Sequence, residues 1–225
     1  MDHDWSDWWR CDVGEVAEVE SNALAALGPE SVTVLQGHVG AVLAGVAPAS
    51  VHCVVTSPPY WGLRDYGLES VTWADGWIGC LGLEPTPEQY VEHLLEVIDV
   101  GLRCVLRSDG TLWLNLGDCY ASSGGKRQGK GPALQGAPQD LRGLPQTTRI
   151  VPATLKPKDL VGIPWRVAFA MQARGWYLRS AIPWIKRNVL PSSVRDRPTT
   201  AHETVFLFAH PEGKGRYFYD LEAVK

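Results

Sequence analysis

"VVTSPPYWGLRDYG", residues 54–67, opens as an apolar strand and ends in a small hydroxyl residue, two prolines and an aromatic ring. Upstream it extends into "SVHCVVTS" (50–57), preceded by a helix-like "VGAVLAGV" (39–46) and a further strand signal, "SVTVLQG" (31–37). That is the rhythm of a βαβ unit. In a doubly wound sheet the ligand crevice lies beyond the carboxyl ends of the strands, so Thr56 to Tyr60 are expected to face it. The prolines fix φ twice, disfavour a helical Ser57 and remove two N–H donors. What remains is an acceptor-rich corner with an aromatic wall. Ser57 Oγ and the Pro58 carbonyl can take the two hydrogens of a planar NH2 group while the Tyr60 ring stacks on its plane, which suits a nucleobase.

Downstream, the alternation continues. "TPEQYVEHLLEVIDVGLRCVL" (86–106) is expected to form one amphipathic helix: Thr86 caps it, Pro87 fits its first turn, and Gln89 completes a capping box. Val91, Leu94, Leu95, Ile98, Leu102 and Val105 fall on its buried face. "RSDG" reads as a turn into "TLWLNLG" (111–117), whose unbroken apolar character suits an interior strand covered on both faces. A helix pattern at "DLVGIPWRVAFAMQARG" (159–175) and the strands "WYLRSAIPWIK" (176–186) and "ETVFLFAH" (203–210) complete the series. Two segments stand apart: an acidic, Trp-rich start (1–30) and a basic Gly/Pro-rich stretch (122–149) expected to be a long loop.

Composition narrows the function. The chain has 225 residues, 45% hydrophobic, enough for one globular domain with a sizeable core. No apolar run approaches a membrane span, and "MDHDWSDWWR" lacks the features of a secretory signal, so a cytoplasmic protein with no membrane partner is expected. The five cysteines form no C-x-x-C pair, and His52 and His202 are read as satisfied by backbone, so no metal site is expected. Net charge is −4, but residues 1–120 carry −14 and residues 121–225 carry +10. The basic half is the candidate polyphosphate-binding half, with Lys126, Arg127 and Lys130 of the loop as candidate nucleic-acid contacts.

"TSPPY" resembles motif IV of the S-adenosylmethionine-dependent DNA methyltransferases that modify exocyclic amino groups. The likeness extends through "SPPYWGLRDYG", "GTLWLNLGD", "WIKRN" (184–188), "AHETVFLFAH" and "YFYD", in the order of the group whose catalytic motif precedes its cofactor motif, over roughly residues 31–222. It implies a Rossmann-like α/β sheet with the methyltransferase region over 31–225, Ser57, Pro58, Pro59 and Tyr60 as catalytic residues, S-adenosylmethionine as cofactor, and DNA as partner. Gly37, His38 and Thr56 would then lie near the cofactor, and Trp184, Lys186 and Asn188 would touch the flipped base or its backbone. Asp118 and Tyr120, just past a strand end, are expected to point toward the same crevice. The amino lone pair is delocalised into the base until acceptors hold its hydrogens, and Ser57 with the Pro58 carbonyl would do so. Flipping the base costs about a few kcal/mol, part of which stacking on Tyr60 would repay. C5-cytosine chemistry is disfavoured because no cysteine adjoins a proline.

Two departures qualify the resemblance. Gly37-His38 stands where the family usually has Gly-Asp, and the glycine-rich cofactor motif expected after the last segment is absent. The G-K-G triplets at 129–131 and 213–215 follow loop-like sequence and are no substitute. The expectation is a truncated chain or one half of a split enzyme, with an incomplete sheet: a chain that does not methylate DNA alone and either self-associates or awaits a complementary polypeptide that carries the cofactor motif. A serine before the prolines favours N4-cytosine over N6-adenine. The alternatives are a catalytically silent nucleic-acid-binding remnant and an RNA or protein amide methyltransferase.

Overall fold

The computed structural model describes residues 32–121, 155–189 and 194–224. In chain order the elements are α1 (Val39–Ala44), β1 (Val51–Thr56), a small hairpin of β2 (Val71–Thr72) and β3 (Ile78–Gly79), α2 (Pro87–Leu95), β4 (Leu106–Leu116), α3 (Ile163–Ala173), β5 (Tyr177–Ile185) and β6 (His202–Ala209). The main sheet is ordered β1-β4-β6-β5. β1 runs parallel to β4, and β6 runs antiparallel to both β4 and β5. Consequently the ends of β1, β4 and β5 and the start of β6 meet at one edge of the sheet. Among the described residues no helix is long and apolar enough to cross a membrane.

The strand expected over 31–37 does not form. Residues 32–36 have no regular structure, and Val32 and Val34 are 90% and 87% exposed. A strand exists only through its ladder partner, and among the described residues none pairs with this segment. The βαβ unit is therefore made by β1 and β4 instead.

α2 begins as its residues require. Gln89 N–H donates to Thr86 Oγ1 at 3.2 Å and Pro87 occupies the first turn. The capping box does not close, because the Gln89 side chain donates to Asp75 Oδ2 at 2.6 Å and so turns away from the Thr86 amide. After Leu95 the helix widens into a π segment, Glu96–Leu102, before a last α turn, Arg103–Val105. All six apolar positions from Val91 to Val105 are buried. The expected turn at "RSDG" is instead a bulge within β4: Val51 pairs with Leu106 and Cys53 already with Thr111, so extra β4 residues loop out, held by an Arg107–Asp109 ion pair of 2.8 Å.

Strand alternation divides the sheet into two chemistries. Leu112, Leu114 and Leu116 of β4 and Phe206 and Phe208 of β6 pack into one core with Tyr90, Leu94 and Ile98 on the α2 side and Ile163, Val167 and Met171 of α3. The other face of β4 presents Trp113 and Asn115, which are only half-buried, so the expectation of a strand sealed on both faces is corrected. Register carries that face across the sheet: Asn115 pairs with Val205, and Glu203, two residues on, pairs with Trp184 of β5. Trp184, Glu203 and Asn115 thus share the face that the described helices leave uncovered.

Candidate functional site

The Ser57–Tyr60 turn leaves β1 over this uncovered face. Its backbone is braced from beneath: Tyr90 Oη, buried in α2, donates to the Pro59 carbonyl at 2.9 Å. Two glycines allow the close approach. A Cβ on Gly117 would stand 2.6 Å from the Tyr60 ring, and Gly82, at φ +94°, lies against Pro59 and the Tyr60 carbonyl. The Tyr60 ring is therefore clamped between the end of β4 and its own turn.

Its hydroxyl is the hub of a hydrogen-bond network. Ser57 Oγ donates to Tyr60 Oη at 3.1 Å, Asn115 Nδ2 donates to it at 2.9 Å, and Tyr60 Oη donates to Glu203 Oε2 at 3.0 Å. Asn115 Nδ2 also donates to Glu203 Oε2 at 3.1 Å, and Lys186 Nζ donates to the other carboxylate oxygen. The amide orientation of Asn115 follows from chemistry, since an amide oxygen turned toward a carboxylate would be repelled. Burial pulls the Glu203 carboxyl upward, but hydrogen bonds from Lys186, Asn115 and Tyr60 outweigh it and hold the group below its ordinary value. Tyr60 moves the other way: burial, reinforced by the Glu203 charge, raises its phenol despite the Ser57 bond. At neutral pH the arrangement is an anionic carboxylate facing an un-ionised phenol.

A second feature adjoins the turn. A hollow of about 210 Å³ is lined by Gly37, His38, Pro59, Arg64, Tyr66 and Trp73, among others, and its walls are mainly apolar. Burial lowers the His38 imidazole. An apolar hollow whose lining includes Arg64 and Glu69 suits a ligand with an aromatic part.

The structure brings together some of the expected residues and not others. Ser57, Tyr60 and Lys186 join one network, and Trp184, 62% exposed, stands opposite Glu203. Gly37 and His38 line the hollow, whereas Thr56 pairs with Leu114 and is not part of the lining. Asn188 sits in the exposed bend after β5. Asp118 does not point at the crevice: it accepts from the Gly162 and Ile163 amides at 3.0 and 3.1 Å and so caps α3. Tyr120 instead carries the Arg197 guanidinium 3.7 Å over its ring. Lys126, Arg127 and Lys130 lie outside the described residues, as does the Trp-rich start.

Asn115 and Glu203 are the members that sequence reasoning missed. Their signal was present: one polar residue in the apolar run "TLWLNLG", and one carboxylate at the mouth of "ETVFLFAH". A half-buried polar group at a strand end calls for a partner, and here Asn115 and Glu203 bond each other and the Tyr60 hydroxyl.

Comparison with known proteins decides the lineage. The DNA methylase family matches residues 51–225, which is most of the chain. The chain belongs to this family. A type II methyltransferase, M.XycI of Xanthomonas campestris pv. cyanopsidis, is 47% identical over 193 residues, covering 86% of this chain and 58% of the relative. M.Cfr9I of Citrobacter freundii is 45% identical over the same shares, and M.SmaI of Serratia marcescens is 44% identical over 87% of this chain and 60% of that protein. This DNA methylase chain therefore spans somewhat under two thirds of the length of these relatives. Among solved structures, the cytosine-N4-specific PvuII DNA methyltransferase is similar at 20% identity and a TM-score of 0.49, covering 81% of this chain and 49% of that one.

Proposed function

We propose that this chain carries the base-binding and catalytic corner of a site-specific DNA methyltransferase that transfers the methyl group of S-adenosylmethionine to an exocyclic amino group of a flipped base. The observation that carries the proposal is the acceptor corner itself. Ser57 is exposed and its proton is committed to Tyr60, and among the described residues nothing donates to its lone pairs or to the Pro58 carbonyl. Two acceptors on a proline-stiffened turn beside an aromatic ring are the requirement for gripping an NH2 group. The type II methyltransferase names of the relatives support the same substrate class.

The hollow beside Pro59 fits the cofactor's chemistry, with Gly37 and His38 at its rim and Arg64 to meet a carboxylate. When bound, S-adenosylmethionine supplies an electrophilic methyl group. The chain's own residues do the rest: Ser57 and the Pro58 carbonyl hold the amino hydrogens, so the nitrogen pyramidalises and its lone pair becomes available, and the Tyr60 ring holds the plane. Trp184, exposed on the same face, walls the flipped base; Lys186 acts indirectly, through Glu203. Asn188, Lys126, Arg127 and Lys130 contribute backbone contacts. Within this reading N4-cytosine is favoured over N6-adenine, on the serine that precedes the two prolines.

The test is a titration of the purified chain with S-adenosylmethionine, followed by labelled-methyl transfer to mixed-sequence DNA, alone and with an added polypeptide that carries a glycine-rich cofactor segment. Nucleoside analysis of the product is expected to give N4-methylcytosine. N6-methyladenine would correct the base, and DNA binding without any transfer in either setting would return the chain to a silent binding module.

A further inference from the structure

Each hydroxyl in the Ser57–Tyr60–Glu203 chain has one proton, and the carboxylate fixes where all of them point. We propose that Glu203 is a specificity-determining positioning residue: by orienting the Tyr60 and Ser57 protons toward itself, it makes Ser57 an acceptor only, so the corner admits an amino group and rejects a carbonyl. The proposal rests on the base-binding role of Ser57 put forward above.

The polarity can be followed atom by atom. Lys186 has only donors and Glu203, ionised, has only lone pairs. Tyr60 has one proton and its bond to the carboxylate at 3.0 Å is charge-assisted, so that proton is taken. Tyr60 Oη can then only accept from its other neighbours, and it does so from Asn115 at 2.9 Å and Ser57 at 3.1 Å. Asn115 reinforces the order, since its two Nδ2 hydrogens serve Tyr60 and Glu203 and it offers neither of them an acceptor. The Ser57 proton therefore points inward, and what faces outward is a pair of lone pairs. Cytosine and adenine present N–H there. Uracil, with a carbonyl in place of the cytosine amino group, would set oxygen against oxygen.

A neutral side chain at 203 releases the constraint. In Glu203→Gln the amide can donate to Tyr60, whose proton is then free to turn toward Ser57, and the Ser57 hydroxyl becomes able to donate outward. Tyr60→Phe reaches the same end by removing the acceptor that holds the Ser57 proton. Glu203→Asp keeps the charge and is expected to keep the order.

The experiment measures binding of the 225-residue chain to labelled DNA duplexes that differ only in one unpaired base, cytosine or uracil, by fluorescence anisotropy. Wild type is expected to prefer cytosine about tenfold or more, the scale of one unsatisfied polar contact. Glu203→Gln and Tyr60→Phe should bring that ratio close to one, while Glu203→Asp retains most of it and circular dichroism confirms that all three fold. A merely structural role would weaken binding to both duplexes together and leave the ratio intact. A preserved ratio in Glu203→Gln overturns the proposal while leaving the base-binding role standing. A wild-type chain with no preference overturns both.

Discussion

Two carboxylate clusters flank the Ser57–Tyr60 turn, and they differ in whether they are finished. Glu84 is sealed: its side chain is 0% exposed, Oε2 accepts from the Gly82 amide at 2.8 Å, and Oε1 faces His93 Nδ1 at 3.1 Å. His93 is itself stacked between Trp73 and Trp77, at 4.3 and 5.3 Å, with Asp75 Oδ1 3.3 Å from its other nitrogen. Trp61, next to the turn, donates to the Glu84 carbonyl at 2.8 Å. Glu203 lies at the open end of the sheet, 21% exposed on its side chain, in a network that stops at Ser57 with lone pairs unspent. The same type of group rigidifies where it is closed in, and recognises where its chain of hydrogen bonds reaches the surface.

The largest effect follows from that difference. Glu84→Ala leaves His93 facing a void and should cost about 3–5 kcal/mol in urea unfolding, the scale for breaking a buried pair. Glu203→Ala, partly exposed, should cost no more than about 1 kcal/mol. Equal losses would erase the distinction between the clusters. Next in size, Ser57→Ala and Tyr60→Ala are expected to lower methyl transfer by about 100-fold or more, with cooperative unfolding retained. Wild-type turnover in both would remove the turn from the chemistry. Smaller again, replacing Lys126, Arg127 and Lys130 by glutamine should flatten the salt dependence of DNA binding by roughly 0.9 in logarithmic slope for each phosphate left without its cation. An unchanged slope would strip the basic segment of its assigned role.

The contrast also shows what was legible in the chain. The buried face of α2, the strands β1, β5 and β6, and the acceptor turn all announce themselves by local periodicity or by proline, because each depends on neighbours within a few residues. The segment 31–37 announced a strand that its described residues do not form, since its apolar alternation is real but no described residue pairs with it. The β4 bulge at Arg107–Gly110 imitates a turn because it has turn residues, and only register against β1 distinguishes the two. Asp118 was misplaced for a similar reason: capping α3 joins residues about 45 positions apart, a distance that no local pattern encodes. Glu203 and Asn115 escaped notice because their meaning is pairwise, across strands set side by side by the sheet.

The smallest effect is a difference in pH dependence between the two clusters. Burial lowers the His93 imidazole, but Glu84 and Asp75 more than compensate, and its value rises above the ordinary 6.5. Nearby Glu96, lifted by burial although the His93 charge opposes that shift, also faces it. A raised folded value means that the sealed cluster's contribution is complete below about 6.5 and fades as pH climbs through the higher folded value. Glu203 has the opposite sign, because its folded value is depressed below 4.5: its contribution is complete above that pH and fades as pH falls through the lower folded value. Stability from the two together should therefore peak between about 4.5 and 6.5. Denaturant midpoints measured from pH 3 to pH 9 would resolve the two limbs. His93→Asn should flatten the alkaline limb and, because His93 helps to hold the Asp75 carboxyl below its ordinary value, also soften the acid limb, while Lys186→Met, which removes the cation holding Glu203 down, should act on the acid limb only. An alkaline limb moved by Lys186→Met would mean that the sealed and open clusters titrate as one unit through the turn they share.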